Sequence, residues 1–141
     1  MQTFITESEA ETRLLAGKLA STLSGKEVIA FRGGLGAGKT AFTRGLAAGL
    51  GIDEGEVSSP TFALVHEHRG TFPLYHFDMY RVNTWDDLYS TGFFDYAENG
   101  ILVIEWSEKV EEYLPGKPIF ITLRPLSETR REITIEGAAA L

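Results

Sequence analysis

The stretch Gly33-Gly34-Leu35-Gly36-Ala37-Gly38-Lys39-Thr40 fits the spacing G-x-x-x-x-G-K-[ST], which is that of a loop that cradles phosphate. Glycines let a backbone take positive φ and approach an anion with no Cβ in the way. The N–H groups of such a loop converge on a β-phosphate, and the dipole of the helix that follows adds to their attraction. Lys39 is then placed to reach the β- and γ-phosphates, and the Thr40 hydroxyl to ligate Mg²⁺.

A second chemical signal is Ile101-Leu102-Val103-Ile104-Glu105-Trp106. Four aliphatic residues in a row predict a strand buried on both faces. An acid at its C-terminal end stands where open α/β sheets bind ligands. The plain alternative is an acid leaving the core at a strand end. Beside a phosphate loop, the position favours Glu105 as the acid linked to the metal or its water shell.

Two further stretches keep two readings each. In Ser58-Ser59-Pro60-Thr61-Phe62, Pro60 holds Ser59 extended. Thr61 is either part of a turn before a strand at 63–66, or a phosphate-sensing hydroxyl of the kind nucleotide switches use. In Leu74-Tyr75-His76-Phe77-Asp78-Met79-Tyr80-Arg81, a strand puts Leu74, His76 and Asp78 on one face. Buried polar groups there need partners. They form either a satisfied histidine–carboxylate pair, or a site in which Asp78 lies near the nucleotide or its attacking water and Arg81 contacts an anion or a partner.

These residues need elements to hold them. Val28-Ile29-Ala30-Phe31 predicts a buried strand leading into the phosphate loop, and Phe42, Leu46 and Leu50 share one face of a helix leaving it, stopped by Gly51. Strand, glycine loop and helix is the context the motif requires. Upstream, Ser8 and Glu11 predict a capping box for a helix carrying Leu15, Leu19 and Leu23 and ended by Gly25. Its expected role is to cover the sheet. Downstream, Arg69-Gly70 marks a hairpin turn, and Thr84 caps a short helix through Leu88 that Gly92 ends. The aromatic residues Phe93, Phe94 and Tyr96 are expected to pack in the core. A short helix is expected over 109–114, followed by strands over 119–123 and 131–136. The second alternates cleanly, which predicts an edge strand exposed on one face. Arg124, Arg130 and Arg131 sit at the ends of this pair, and the tail after Gly137 is expected to be mobile.

Length and composition bound the function. At 141 residues, 43% hydrophobic and 23% charged, the expectation is one globular domain with a real core. No apolar run approaches a membrane span. The first residues lack the basic and apolar regions of a signal peptide, so a cytoplasmic location is expected. There is no cysteine, hence no disulfide and no thiolate metal site. A net charge of −7 argues against a tight, independent nucleic-acid binder, which needs a broad basic surface.

The missing N-K-x-D and D-x-x-G motifs argue against a GTPase. The chain is short for a motor ATPase, and no arginine-rich lid or acceptor segment suggests a small-molecule kinase. Taken together and in order, G-G-L-G-A-G-K-T, S-S-P-T-F, H-F-D-M-Y-R and I-L-V-I-E-W closely resemble the TsaE (YjeE) family, small bacterial ATPases of tRNA threonylcarbamoyladenosine biosynthesis. The segment G-F-F-D-Y is similar too. The resemblance runs from about Val28 to Glu108 and implies an α/β P-loop NTPase-type domain. Its expected sheet is mixed and mostly parallel, flanked by helices, with an antiparallel pair at the C-terminus.

The resemblance also implies ATP and Mg²⁺ as cofactors. It implies action with the proteins TsaD and TsaB on adenosine 37 of tRNAs, with tRNA contacted only through that complex and with no membrane involved. By position, residues Gly33 to Thr40 resemble the triphosphate loop, and Thr40 and Glu105 the metal residues. Asp78 resembles a residue needed for activity, Thr61 a switch residue and Trp106 the tryptophan near the site. Adenine contacts are poorly placed by motif, with Glu11 and Arg130 or Arg131 as candidates. The expected reaction is slow transfer of the γ-phosphoryl group to water, raised when a partner completes the site. A small-metabolite kinase and a nucleotide-gated binding module without useful hydrolysis are the alternatives.

Overall fold

The computed structural model describes residues 1–33, 38–53, 57 and 65–141. The chain runs β1 (Gln2–Thr6), α1 (Glu9–Ala20), β2 (Val28–Arg32), α2 (Lys39–Gly49), β3 (Val65–Arg69), β4 (Pro73–Asp78), α3 (Trp85–Ser90), α4 (Phe93–Ala97), β5 (Ile101–Glu105), β6 (Ile119–Pro125) and β7 (Arg131–Glu136). All the strands join one sheet in the order β1-β7-β6-β2-β5-β4-β3. The central pairs β6/β2, β2/β5 and β5/β4 are parallel, and the outer pairs are antiparallel. The expected mixed α/β sheet is therefore present.

Helices cover both faces, as a sheet with a parallel centre requires. On one face α1 and α2 supply Leu15, Leu19, Phe42 and Leu46 to a core that meets Ile29, Phe31, Leu74 and Val103. On the other, Leu88 and Phe93 of α3 and α4 meet Val28, Phe77, Leu102 and Ile104. Alternation along β2, β4 and β5 sorts the residues of each strand between the two cores. Phe93 is fully buried and stacks edge-on against Phe77 at 5.5 Å, the core use expected of it.

Helix α1 lies unusually close to α2. A Cβ built on Gly45 meets the Arg13 carbonyl oxygen at 2.4 Å, and one on Gly49 meets the Ala20 Cβ at 2.6 Å. Small residues at these crossings let the backbones approach. Ser8 caps α1 as expected, accepting from the Glu11 N–H at 3.2 Å. The box is closed differently, because the Glu11 carboxylate takes the Glu7 N–H at 2.8 Å.

Several expectations are corrected. The clean alternation of β7 does not mark an edge, because β1 pairs along it from Gln2↔Ile135 to Thr6↔Arg131. The helix of the first segment ends at Ala20, before Leu23. The strand expected over 63–66 is described from Val65 and continues to Arg69. In place of a helix over 109–114 there are two single 3₁₀ turns, Ser107–Lys109 and Glu111–Tyr113. The tail is tied down: Gln2 Nε2 donates to the Ala139 carbonyl, the Leu141 N–H donates to Gln2 Oε1, and both distances are 2.9 Å. Among the described residues no helix is long and apolar enough to cross a membrane.

Candidate functional site

The phosphate-loop motif leaves the C-terminal end of β2, the middle strand of the sheet, and its Lys39 opens α2. Gly34, Leu35, Gly36, Ala37 and Thr61 lie outside the described residues. The flanks of the loop are described. Gly33 has φ 131° and Gly38 has φ 96°, conformations that side chains with a Cβ disfavour. Lys39 is nearly buried, and its ammonium group donates to the Gly33 carbonyl at 3.2 Å, across the mouth of the loop. A buried lysine needs such partners. One N–H of the ammonium is used in this way, and an ammonium carries three donors.

The ends of β4 and β5 meet beside this mouth. Asp78 stands opposite Glu105 in the parallel register, so both carboxylates leave the sheet at its C-terminal end, on the face of α1 and α2. Asp78 Oδ1 accepts the Tyr80 N–H at 2.8 Å, which turns the chain out of β4. Glu105 is 8% exposed, and its Oε2 lies 2.7 Å from His76 Nε2. The carboxylate partner of His76 is therefore on the neighbouring strand, not at Asp78, two residues along its own.

Trp106 follows with φ 60° and ψ 39°, the one positive-φ residue other than glycine among those described. Its ring lies 4.9 Å from that of Tyr80, and the Lys39 ammonium sits 5.6 Å from its centroid, within reach of a cation–π contact. Backbone strain of this kind gathers at functional sites. The buried Ser107 hydroxyl then donates to the Phe31 carbonyl at 2.9 Å, joining the end of β5 to the strand that delivers the loop. Sequence reasoning missed Ser107 and the left-handed turn. A serine just past a predicted catalytic strand carries no distinguishing signal by itself.

A pocket of about 210 Å³ opens next to Gly38 and Ala41, between the start of α1 and the β6–β7 turn. Glu9, Thr12, Thr129 and Arg131 line it. Of the residues named for an adenine contact, Arg131 faces this pocket. Arg130 instead pairs with Glu7 at 2.9 Å, and the Glu11 carboxylate is held by the Glu7 N–H. Arg81 is exposed, and Arg124 pairs with Glu132 at 3.0 Å.

Lys39 thus reaches Trp106, the neighbour of Glu105, and Glu105 stands beside Asp78, although Glu105 lies 66 positions after Lys39 in the chain (105 − 39 = 66). Thr40 and Glu105 offer hydroxyl and carboxylate oxygens, the hard donors that suit Mg²⁺. Among the described residues no group of three or more histidines and acids is placed to hold a metal unaided.

The family model for the threonylcarbamoyl adenosine biosynthesis protein TsaE matches residues 6–133 of the chain. The tRNA threonylcarbamoyladenosine biosynthesis protein TsaE of Treponema pallidum is 39% identical over 132 residues, spanning 93% of this chain and 97% of its own. The protein of the same name from Aquifex aeolicus is 41% identical over 135 residues, spanning 93% and 92%. Among solved structures, YdiB of Bacillus subtilis superposes with a TM-score of 0.69 at 32% identity, covering 95% of this chain and 83% of that one.

Proposed function

The chain belongs to the TsaE family of threonylcarbamoyl adenosine biosynthesis proteins, and from that premise we propose that it binds Mg·ATP and hydrolyses it slowly, as an accessory ATPase that sustains turnover of a TsaB–TsaD complex modifying adenosine 37 of tRNAs. The observation that carries the ATPase reading is the placing of Lys39 against Trp106, the residue next to Glu105, at the end of the parallel strands where Glu105 stands beside Asp78. This is where α/β sheets bind ligands.

Within this reading each residue has a task. The backbone N–H groups of residues 33–38 cradle the β-phosphate. Lys39 is held by the Gly33 carbonyl and turns its remaining donors to the β- and γ-phosphates. Thr40 and Glu105 hold the metal together with the nucleotide, which suits a donor set too small for a protein cage. Bound Mg²⁺ supplies neutralisation of charge on the phosphate oxygens. Asp78 helps order the attacking water, and Trp106 shields the lysine from bulk solvent. The nucleoside end enters the pocket by Gly38, Thr12 and Arg131. Thr61 senses the γ-phosphate.

Both carboxylates already hold hydrogen bonds, Asp78 from Tyr80 and Glu105 from His76. Each is thereby held in place by the fold, and among the described residues no histidine or lysine pairs with them as a further proton acceptor except His76, whose Nε2 already faces Glu105. That supports slow hydrolysis by the protein alone and a contribution from the partner. The net charge of −7 suits docking on a basic protein surface.

The test is phosphate release from Mg·ATP by the protein alone and with purified TsaB, TsaD and tRNA. The expected result is low activity alone, a rise with the partners, and a loss of about a hundredfold or more in Lys39→Ala, the size seen when one electrostatic contact to a transition state is removed. Activity indifferent to the partners overturns the accessory role. Phosphate appearing on an added sugar or nucleoside makes the protein a kinase, and tight binding with no release makes it a gated binding module.

A further inference from the structure

The partner of Glu105 is a histidine buried within the sheet. His76 is 1% exposed and lies in the middle of β4, on the same face as Leu74. Burying an imidazole among aliphatic side chains is costly unless its nitrogens are satisfied. Only one of them has a partner: Nε2 faces Glu105 Oε2 at 2.7 Å, and Nδ1 has no hydrogen-bond partner among the described residues. A carboxylate has no proton to give, so Nε2 carries the hydrogen and donates it. A second N–H at Nδ1 would be buried and unpaired, and leaving such a donor unmet is expensive. The geometry therefore selects the tautomer protonated at Nε2.

The register explains why the bond reaches Glu105. His76 pairs with Val103 and Asp78 with Glu105 in the parallel ladder, so the imidazole meets the acid on the diagonal, one step toward the sheet's C-terminal end. The bond is short and involves a charged acceptor, the class that orients most strongly. It engages one carboxylate oxygen and leaves the other for a different partner.

We propose that His76 is the positioning residue of the site: its Nε2–H clamps Oε2 of Glu105, so that Oε1 is presented in a fixed direction to the metal or its water shell. This rests on the reading of Glu105 as the metal-linked acid. Partners that orient a ligating carboxylate in this way are worth about 10–100-fold in metal affinity. A glutamine in place of His76 carries an amide nitrogen near the position of Nε2 and can still donate. An asparagine carries it near Nδ1 and falls short of Glu105.

The test measures Mn²⁺ binding by electron paramagnetic resonance to the protein saturated with a non-hydrolysable ATP analogue. Analogue binding in EDTA is measured in parallel. His76→Asn is expected to raise the Mn²⁺ dissociation constant about tenfold or more, and His76→Gln to stay within about twofold of the parent. Analogue binding in EDTA is expected to be unchanged in both. Equal weakening by Asn and Gln overturns the proposal, as does no weakening by either. A matching loss in EDTA also overturns it, because the residue then supports the site as a whole. Glu105→Ala separates the two claims. If it weakens Mn²⁺ while His76→Asn does not, the positioning role alone fails. If it leaves Mn²⁺ unchanged, the reading of Glu105 fails and the clamp with it.

Discussion

The Ser107 hydroxyl donates to the Phe31 carbonyl at 2.9 Å, with the serine fully buried. This bond fastens the turn after β5 to the end of the strand that leads into the phosphate loop. Ser107→Ala leaves a buried carbonyl oxygen unpaired, which costs about 1–3 kcal/mol. Chemical denaturation of the variant is expected to show that loss. A midpoint equal to that of the parent would mean that the carbonyl finds another donor.

Gly45 marks where α2 lies against α1. The Cβ of an alanine there would sit 2.4 Å from the Arg13 carbonyl oxygen, which is backbone and cannot rotate aside. Gly45→Ala therefore forces the helices apart, and about 1–3 kcal/mol of destabilisation is expected from overpacking. The same change in an isolated helix would be favourable, so a drop in melting temperature isolates the crossing as the cause.

Trp106 holds a left-handed backbone at the end of β5. Glycine adopts that conformation freely and alanine does not, the difference being about 1–2 kcal/mol. Trp106→Gly and Trp106→Ala remove the same ring from Tyr80 and Lys39. The glycine variant is expected to be the more stable of the two in paired thermal melts. The reverse order would show that the turn relaxes once the indole is gone.

Glu27 closes the loop before β2. Burial works to raise its carboxyl pKa, but the N–H groups of Ser24 and Gly25 and the Ser24 hydroxyl together hold it below the usual glutamate range. A carboxyl whose pKa is lowered by folding stabilises the native state above its unfolded value of about 4.3, and that contribution is lost as pH falls through the lowered folded value. The gap in melting temperature between the parent and Glu27→Gln is expected to be widest near neutral pH and to narrow in acid. A gap independent of pH would rule the charge out.

The parts of this molecule that were legible in the sequence are those written in neighbouring residues. The phosphate loop, the aliphatic run of β5 and its terminal acid each carry their signal within a few positions. The relationships that complete the site join distant segments. His76 and Glu105 are separated by 29 positions, and their meeting depends on a parallel register that no local pattern encodes. Strand β1 is the clearest omission. Its five residues, Gln2-Thr3-Phe4-Ile5-Thr6, show no apolar–polar alternation in sequence, and it becomes a strand by pairing with β7. With β1 unseen, the alternation of β7 read as an edge.

That pairing bears on how the chain is made. Gln2 is matched to Ile135, so β1 finds its neighbour only after the 133 positions that separate them have been translated (135 − 2 = 133). The parallel centre faces a milder form of the same delay, since β2 must wait for β5 and β6. Contacts that span so much sequence slow folding and leave apolar strands uncovered for longer. The chain thus emerges with the strand leading into its phosphate loop formed early in sequence and enclosed late in time.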